Sequence, residues 1–351
     1  MRVLSAALLT MVVVAACSGN ETPAAASPQS VSVMAFNVQN LFDTVDAPGK
    51  DDKAYLPLEA KQNDEHIFEC NEIAVESWRN ECLDLDWDDD ALHHKLTVIA
   101  ATILQVNDGR GPDIVALQEI ENVDVLEQLR ADYLAAAGYL PAVLIEGTDV
   151  RGVDVAFLSR LPVSNVTLHP LELPADFAER QGDVRGLLQA TFELPGGASL
   201  TGFSVHFPAP FHPTEMRVIA YEHLTHVLAT VPETHNVFAA GDFNTTSTED
   251  AEQNMLDRFV RPHWDVVSND LCEGCKGTHY YSRGDTWSFL DMILFAPSGD
   301  EESAWQVRGV ELAAELSAQL NSDGSPQRYI SAERKGVSDH LPVLMTLEER
   351  P

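Results

Sequence analysis

The chain is short of positive charge. Its 351 residues hold 22 Lys and Arg against 55 Asp and Glu, a formal balance of −33 with His neutral. A surface this acidic repels polyphosphates, which excludes tight, salt-driven wrapping of duplex nucleic acid. A substrate phosphate stays admissible where a metal ion dominates the local charge. Past the N-terminal segment no run of 18 apolar residues occurs, so no conventional membrane-spanning helix is expected. Cysteines number only 5 and aromatic residues make up 7%. What is present is 45% hydrophobic residues over a length that suits one large or two ordinary domains, enough to bury a core and to exclude disorder throughout. No internal repeat and no interdomain linker follow residue 30.

The N-terminus reads as a targeting segment. Arg2 precedes an apolar run from Val3 to Ala16, too short to span but suited to a secretory signal over residues 1–16. Small residues lead directly to Cys17, which resembles a bacterial lipoprotein signal that leaves Cys17 as the lipid-bearing first residue; an ordinary signal peptide is the alternative. Residues 17–30, rich in Ala, Pro and Ser, form a flexible tether. The expectation is an exported lipoprotein of the bacterial cell envelope, anchored to a membrane rather than crossing it.

Four cysteines remain: Cys70, Cys82, Cys272 and Cys275. In an exported protein an even number suggests two disulfides, and the local pairing Cys70–Cys82 with Cys272–Cys275 is the simplest. A structural zinc site is the alternative. Residues 43–90 look like a polar insertion ending in Asp84-Leu85-Asp86-Trp87-Asp88-Asp89-Asp90. A calcium loop counted from Asp84 would need Gly at its sixth position and Glu at its twelfth, where Asp89 and Lys95 stand, so a solvated acidic turn is the better reading.

Hydrophobic periodicity predicts strands alternating with helices. Strands are expected at Val31–Asn37, Asp113–Glu119, Leu140–Ile145, Val153–Leu158, Leu187–Phe192, Ser199–His206, Asn236–Asp242, Ser288–Phe295 and Pro342–Leu347. A helix over Ala91–Val106, capped by Asp90, places Leu92, Leu96, Ile99, Ala100, Ile103 and Leu104 on one stripe; further helices are expected near Asp124–Ala137 and Thr214–Leu228. These strands are too many for one parallel sheet, so two packed sheets with helices outside are predicted.

Chemistry gathers at strand ends. Asn37, Glu119, His206, Asp242 with Asn244, Asp291 and the pair Asp339-His340 each sit at the end or beginning of a predicted strand. Carboxylates, amides and imidazoles delivered to one edge of a sandwich build a pocket with hard oxygen ligands for Mg²⁺ or Mn²⁺. Phe36-Asn37-Val38-Gln39-Asn40-Leu41-Phe42, Asp113 to Glu119, Val205-His206-Phe207, Gly241-Asp242-Phe243-Asn244, Trp287 to Asp291, and Ser338-Asp339-His340-Leu341-Pro342-Val343 come in order. They resemble the successive motifs of the endonuclease/exonuclease/phosphatase superfamily, to which pancreatic deoxyribonuclease belongs, over about Val31 to Leu347. The resemblance implies one domain over residues 31–348, a four-layer α/β sandwich of two mainly antiparallel sheets, and metal-dependent phosphoester hydrolysis.

The resemblance also implies roles. Glu119 would ligate the metal, with Asn37 and Asp339 completing or flanking the site. Asp242 would accept a proton from the attacking water or orient it, and Asn244 would hold the phosphate or that Asp. His206 and His340 would bind phosphate oxygens, with Asp291 orienting His340. Arg185 matches a basic residue that often precedes a strand in the family and would contact substrate. Two departures stand out. Glu121 occupies a place where the duplex-cutting relative carries a basic residue, and Phe207-Pro208-Ala209-Pro210-Phe211-His212-Pro213 replaces a polar, basic segment. Phe207 or Phe211 would either pack or stack on a substrate ring. Asp154 is the candidate carboxylate partner of His206. The expected substrate is a short or single-stranded nucleic acid or a small phosphodiester, without tight duplex DNA binding, although Arg151, Arg160, Arg180 and Arg185 could make a local basic patch. Phosphomonoesterase and sphingomyelinase-like activities share the constellation. An inactive binding module on the same fold, and a lipid-anchored zinc protein, are the readings from other classes.

Overall fold

The structure, a computed structural model, describes residues 29–299 and 305–350. The signal segment, Cys17 and all but the end of the tether lie outside the described residues. Among the described residues no helix is long and apolar enough to cross a membrane.

Two sheets pack face to face. The first contains β1 (Ser30–Leu41), β2 (Ile114–Ile120), β3 (Val143–Leu144), β4 (Asp154–Ser159), β12 (Trp305–Leu312) and β13 (Val343–Glu349), in the order β12-β13-β1-β2-β4-β3. The second contains β5 (Val163–His169), β6 (Leu187–Glu193), β7 (Ser199–His206), β8 (Asn236–Asp242) and β11 (Asp291–Ala296), in the order β11-β8-β7-β6-β5. Pairing is antiparallel except for one parallel pair near the centre of each sheet, β1 with β2 and β7 with β8. A parallel pair needs a crossover. The first is made by α1 (Asp64–Asn71), α2 (Glu76–Asp84) and α3 (Asp89–Leu104), and the second by α5 (Thr214–Leu228). α4 (Val123–Gln128), α6 (Ser247–Gln253), α7 (Val267–Leu271) and a hairpin of β9 (His279–Tyr281) with β10 (Thr286–Ser288) lie in the remaining connections.

The alternation of strand side chains sorts the core into layers. On β1, Val33 and Ala35 face the other sheet and pack with Ile114, Ala116, Phe157, Phe192, Phe238 and Ile293. Met34, Phe36 and Val38 face outward and pack under Leu92, Leu96, Ile99 and Ile103 of α3. On the far side, Phe203 and Val205 of β7 meet Met216, Ala220, Tyr221 and Leu224 of α5. The result is helix, sheet, sheet, helix, the four-layer α/β sandwich expected. Phe157, Phe192 and Phe238 meet at ring centroids of 5.3 to 6.2 Å in its middle, and Gly202 leaves the space that the Phe238 ring fills.

Several expected boundaries shift for identifiable reasons. α3 is capped by Asp88, not Asp90: Asp88 has extended dihedrals and its side chain accepts from Ala91 N. The acidic turn is therefore built in rather than merely solvated, with Trp87 2% exposed among Phe42, Ala91, Val153 and Tyr329. The helix expected over Asp124–Ala137 breaks into α4, a π-type turn at Leu129–Tyr133 and a 3₁₀ turn at Ala135–Ala137. The wider turn brings Leu134, five residues after Leu129, back to the buried face. The strand expected at Ser288–Phe295 is interrupted at Phe289-Leu290, which turns the chain from β10 into β11. β5 and β12 are additional strands. Cys70 and Cys82, and Cys272 and Cys275, stand at disulfide distance with Cα atoms 5.6 Å apart in each pair. The two pairs do not come together, so a zinc site built from all four is not formed.

Candidate active site

Strand register assembles the site before any side chain is considered. On the second sheet His206 of β7 pairs with Asp242 of β8, and Asp242 pairs in turn with Asp291 of β11. On the first sheet Asn37 of β1 pairs with Gln118 of β2, one residue before Glu119. Both parallel pairs end at the same edge of the sandwich, so the carboxyl ends of four strands deliver their polar residues to one place. Gly241 precedes Asp242 with φ +143°, and a side chain there would collide with the Val205 carbonyl and the Gln118 amide.

The geometry is tight. Asn37 Nδ2 donates to Glu119 Oε1 at 3.2 Å and to Asp242 Oδ2 at 3.1 Å, tying the two sheets together. Its Oδ1 accepts from Gln39 N at 3.0 Å, and that bond fixes which end of the amide points where. Asn37 thus bridges two carboxylates through its Nδ2 while its Oδ1 accepts from Gln39 N. Asn40 N donates to Glu119 Oε2 at 2.9 Å. Glu119 and Asn244 are both left-handed, with φ +65° and +51°; the conformation is common for Asn in turns and uncommon for Glu. Asn244 N donates to Asp242 Oδ1 at 2.9 Å, and Asn244 Nδ2 donates to Phe207 O at 2.9 Å. Asn244 therefore holds Asp242 through its backbone and the loop after His206 through its side chain.

The two imidazoles are in opposite electrostatic situations. His340 Nδ1 donates to Asp291 Oδ2 at 2.6 Å, and its Nε2 lies 3.9 Å from Asp242 Oδ2 and 4.0 Å from Asp339 Oδ1. Burial disfavours its charge, but Asp291, Asp242 and Asp339 together hold it well above the ordinary histidine range. His206 Nε2 lies 3.6 Å from Asp242 Oδ2 and 3.9 Å from Glu119 Oε1. Burial, aided by Arg185 and Arg151, pushes it well below the ordinary range, so it is neutral. Among the described residues His206 Nδ1 has no hydrogen-bond partner. Asp154, its expected carboxylate, instead accepts from Gly147 N at 2.8 Å at the start of β4. Burial drives Asp242 up to about 7; the His340 charge opposes the rise, Asp291 adds to it, and the Asn37 and Asn244 donors oppose it further.

Arg185 is deeply buried, with Nη2 2.8 Å from Asp149 Oδ2. Arg151 Nε lies 3.6 Å from the same carboxylate. Arg160, paired with Asp113, sits at the opposite end of β2 from Glu119, and Arg180 pairs with Asp183, so the four arginines do not form one patch. Glu121 is buried, accepts from Asp43 N at 2.6 Å and is pushed up to about 8 by that burial. At 5% exposure it offers almost no surface to a DNA partner.

Sequence reasoning missed several contributors. Gln39 Oε1 accepts from Tyr329 N and Asp339 N at 2.8 and 3.1 Å, clamping the segment that carries Asp339 and His340. Ser338 Oγ donates to Asn37 O at 2.7 Å and accepts from His340 N at 3.1 Å. Both lie inside motifs quoted above, so position alone was their signal. Arg328, 3.9 Å from Asp339, and Asp149 carried none.

The donor set suits a hard divalent ion. Glu119 and Asp339 keep 17% and 35% of their side chains exposed, so both reach the open side of the site. Asp242 and Asp291 add two more carboxylates against one protonated imidazole, leaving negative charge that a cation would offset. Asp242, Asp291 and His340 offer ligand atoms within 4.8 Å of one another. Asp291 is wholly buried and committed to His340, so it supports the imidazole rather than an ion.

The Endonuclease/Exonuclease/phosphatase family model matches residues 87–340. The chain belongs to this family of phosphoester hydrolases, which in general use a divalent metal. Among solved structures, an endonuclease/exonuclease/phosphatase family protein from Bacteroides thetaiotaomicron is 16% identical over 92% of this chain and 99% of that one, with a TM-score of 0.57. A humanized TDP2 of D. rerio is 15% identical over 91% and 98%, with a TM-score of 0.56. A mannosyl-6-phosphatase from B. thetaiotaomicron is 16% identical over 90% and 99%, with a TM-score of 0.54. At these identities the likeness establishes the fold. No curated protein sequence matches the chain.

Proposed function

We propose that this protein hydrolyses a phosphoester with the aid of Mg²⁺ or Mn²⁺, acting on small or short substrates rather than long duplex DNA. The observation that carries the reading is the convergence of Glu119, His206, Asp242 and the His340–Asp291 pair within 4 Å contacts at the joined edges of two sheets. Glu119, with Asp339 beside it, would hold the ion, which when bound supplies positive charge to the phosphoryl oxygens. Asp242 is the general base. Its proton affinity, raised to about 7 by burial, is matched to neutral pH, and the Asn37 and Asn244 donors aim it. His340, protonated beside Asp291, and neutral His206, through one ring N–H, donate to the phosphoryl oxygens as charge grows on them.

Size follows from charge. Arg151 and Arg185 share Asp149, and Arg180 is paired with Asp183. Arg328, mostly exposed, stands 3.9 Å from Asp339. That supports contact with one or two phosphates, not a backbone groove. Export and lipid attachment at Cys17 belong to the same proposal, on the sequence pattern given above.

A panel of mono- and diesters, including bis(p-nitrophenyl) phosphate, a sugar phosphate and a short single strand, tests the reading with each metal and with chelator. Turnover of at least one member should require Mg²⁺ or Mn²⁺ and fall on the order of 10²-fold or more in Asp242→Asn. Full activity in chelator, or near wild-type turnover in Asp242→Asn, would overturn it.

A further inference from the structure

The loop that leaves His206 contains two phenylalanines with opposite fates. Phe207 is buried, its ring 4.9 Å from that of Tyr221 and 5.1 Å from that of Phe243. Phe211, four residues on, is 73% exposed. A single exposed aromatic is ordinary; the support beneath this one is not. Pro208, Pro210 and Pro213 restrict the backbone. Arg217, buried on α5, donates from Nη1 to the carbonyls of Pro208, Ala209 and His212 at 3.2, 2.8 and 3.4 Å. Its remaining nitrogens are committed to Glu249. A buried, ion-paired guanidinium thus gathers three carbonyls of one surface loop and holds Phe211 in a fixed place.

That place adjoins the catalytic centre. Phe207 N donates to Asp242 O at 2.8 Å, and Phe207 O accepts from Asn244. Arg185 acts electrostatically on His212 and interacts in the same way with Asp242 and Glu119. The ring of His212 supports Phe211 from below, at a centroid separation of 4.3 Å, and Arg180 Nη1 stands 3.4 Å from His212 Nδ1. Within the loop no other large hydrophobic side chain is exposed, so a lipid chain would find no continuous apolar track. A flat π face on the loop that leaves His206 matches a planar ring. Neutral stacking also supplies affinity that does not depend on the cations this chain lacks.

We propose that Phe211 is a stacking platform for a nucleobase carried one sugar away from the phosphate at the His206–Asp242 centre. The assignment rests on the phosphoester-hydrolase reading and narrows its substrate class to nucleotides, free or at the end of a short strand. It makes Phe211 a specificity-determining residue.

Calorimetric titration in Mg²⁺ with non-hydrolysable methylenephosphonate analogues tests it without turnover. The ligands are the analogues of adenosine 5′-monophosphate and of ribose 5-phosphate, and a trinucleotide carrying the phosphonate at its 5′ end. The wild-type protein should bind the adenosine analogue about tenfold more tightly than the ribose analogue, the range expected for one base on one aromatic ring. Phe211→Ala should bring that ratio near one, and Phe211→Trp should preserve it. The Phe211 ring lies at the surface, so both variants should keep the wild-type melting temperature. Equal affinity of trinucleotide and mononucleotide would assign the platform to free nucleotides, and tighter binding of the trinucleotide would assign it to strand ends. An unchanged ratio in Phe211→Ala, or no preference for the base in wild type, would overturn the proposal. Absence of metal-dependent hydrolysis across the ester panel would instead strike the functional reading, and the titration would still report on the platform.

Discussion

Replacing Asp291 by Asn changes one charge and almost no volume at the most buried point of the site. Asp291 is wholly buried and its Oδ2 takes the Nδ1 proton of His340 at 2.6 Å. Burial alone would make the imidazole neutral; Asp291 is the first of the carboxylates that reverse this. An adjacent opposite charge shifts a pKa by about 1–3 units, so Asp291→Asn should lower that of His340 by this amount. If His340 must be protonated to stabilise the phosphoryl charge, activity is lost as pH rises through its pKa in the enzyme. The alkaline limb of the kcat profile should therefore move about 1–3 units towards acid in the variant. Where wild-type His340 is charged and the variant's is not, kcat should fall on the order of 10²–10³-fold, the usual effect of losing one such donor. The folded state also binds the His340 proton more tightly than the unfolded chain. Its stabilising contribution is full below the unfolded pKa of about 6.5 and disappears as pH rises through the higher folded value. The melting-temperature gap between wild type and Asp291→Asn should accordingly narrow with rising pH. A pH–rate series with the best ester of the panel, run beside thermal melts, checks both. An alkaline limb that stays in place would refute the assignment of His340 as the charged donor.

Lys95 is fully buried on α3, donates to Val337 O at 2.8 Å, stands 4.5 Å from the Tyr329 ring centre, and is lowered by burial to about 7. Its unfolded counterpart holds the proton until about pH 10, so wild type should gain up to about 4 kcal/mol over Lys95→Met between about pH 7 and pH 10; parallel urea-unfolding free energies would contradict this. Phe238→Ala empties the centre of the sandwich and should cost about 3–5 kcal/mol, read by urea unfolding. Cys17→Ala should leave the protein unlipidated, either released from the membrane fraction or with its signal uncleaved, as followed by fractionation and mass spectrometry; an unlipidated, soluble wild-type protein would remove the anchor.

Much of this protein is settled along the chain itself. The period-2 and period-3.6 patterns of β2, β7, β8, α3 and α5 name their elements almost to the residue, because one face or both of each must be apolar to reach the core. Ordered motifs named Glu119, His206, Asp242, Asp291 and His340, since each lies beside a strand terminus. What linear spacing does not carry is who meets whom. Register alone sets His206, Asp242 and Asp291 abreast, and Asn37 becomes a bridge between carboxylates because Gln39 N claims its oxygen. Glu121 looks like a surface acid in one dimension and is buried under Asp43 in three. Arg185 is paired with Asp149, 36 residues earlier, a partner that no linear pattern ties to it. Phe207 and Phe211 are the same residue four positions apart; the packing of Tyr221 and Phe243 and the reach of Arg217 bury one ring and display the other. Burial and pairing between distant segments depend on how the layers close, and so the charge state and exposure of the site's residues belong to the tertiary structure.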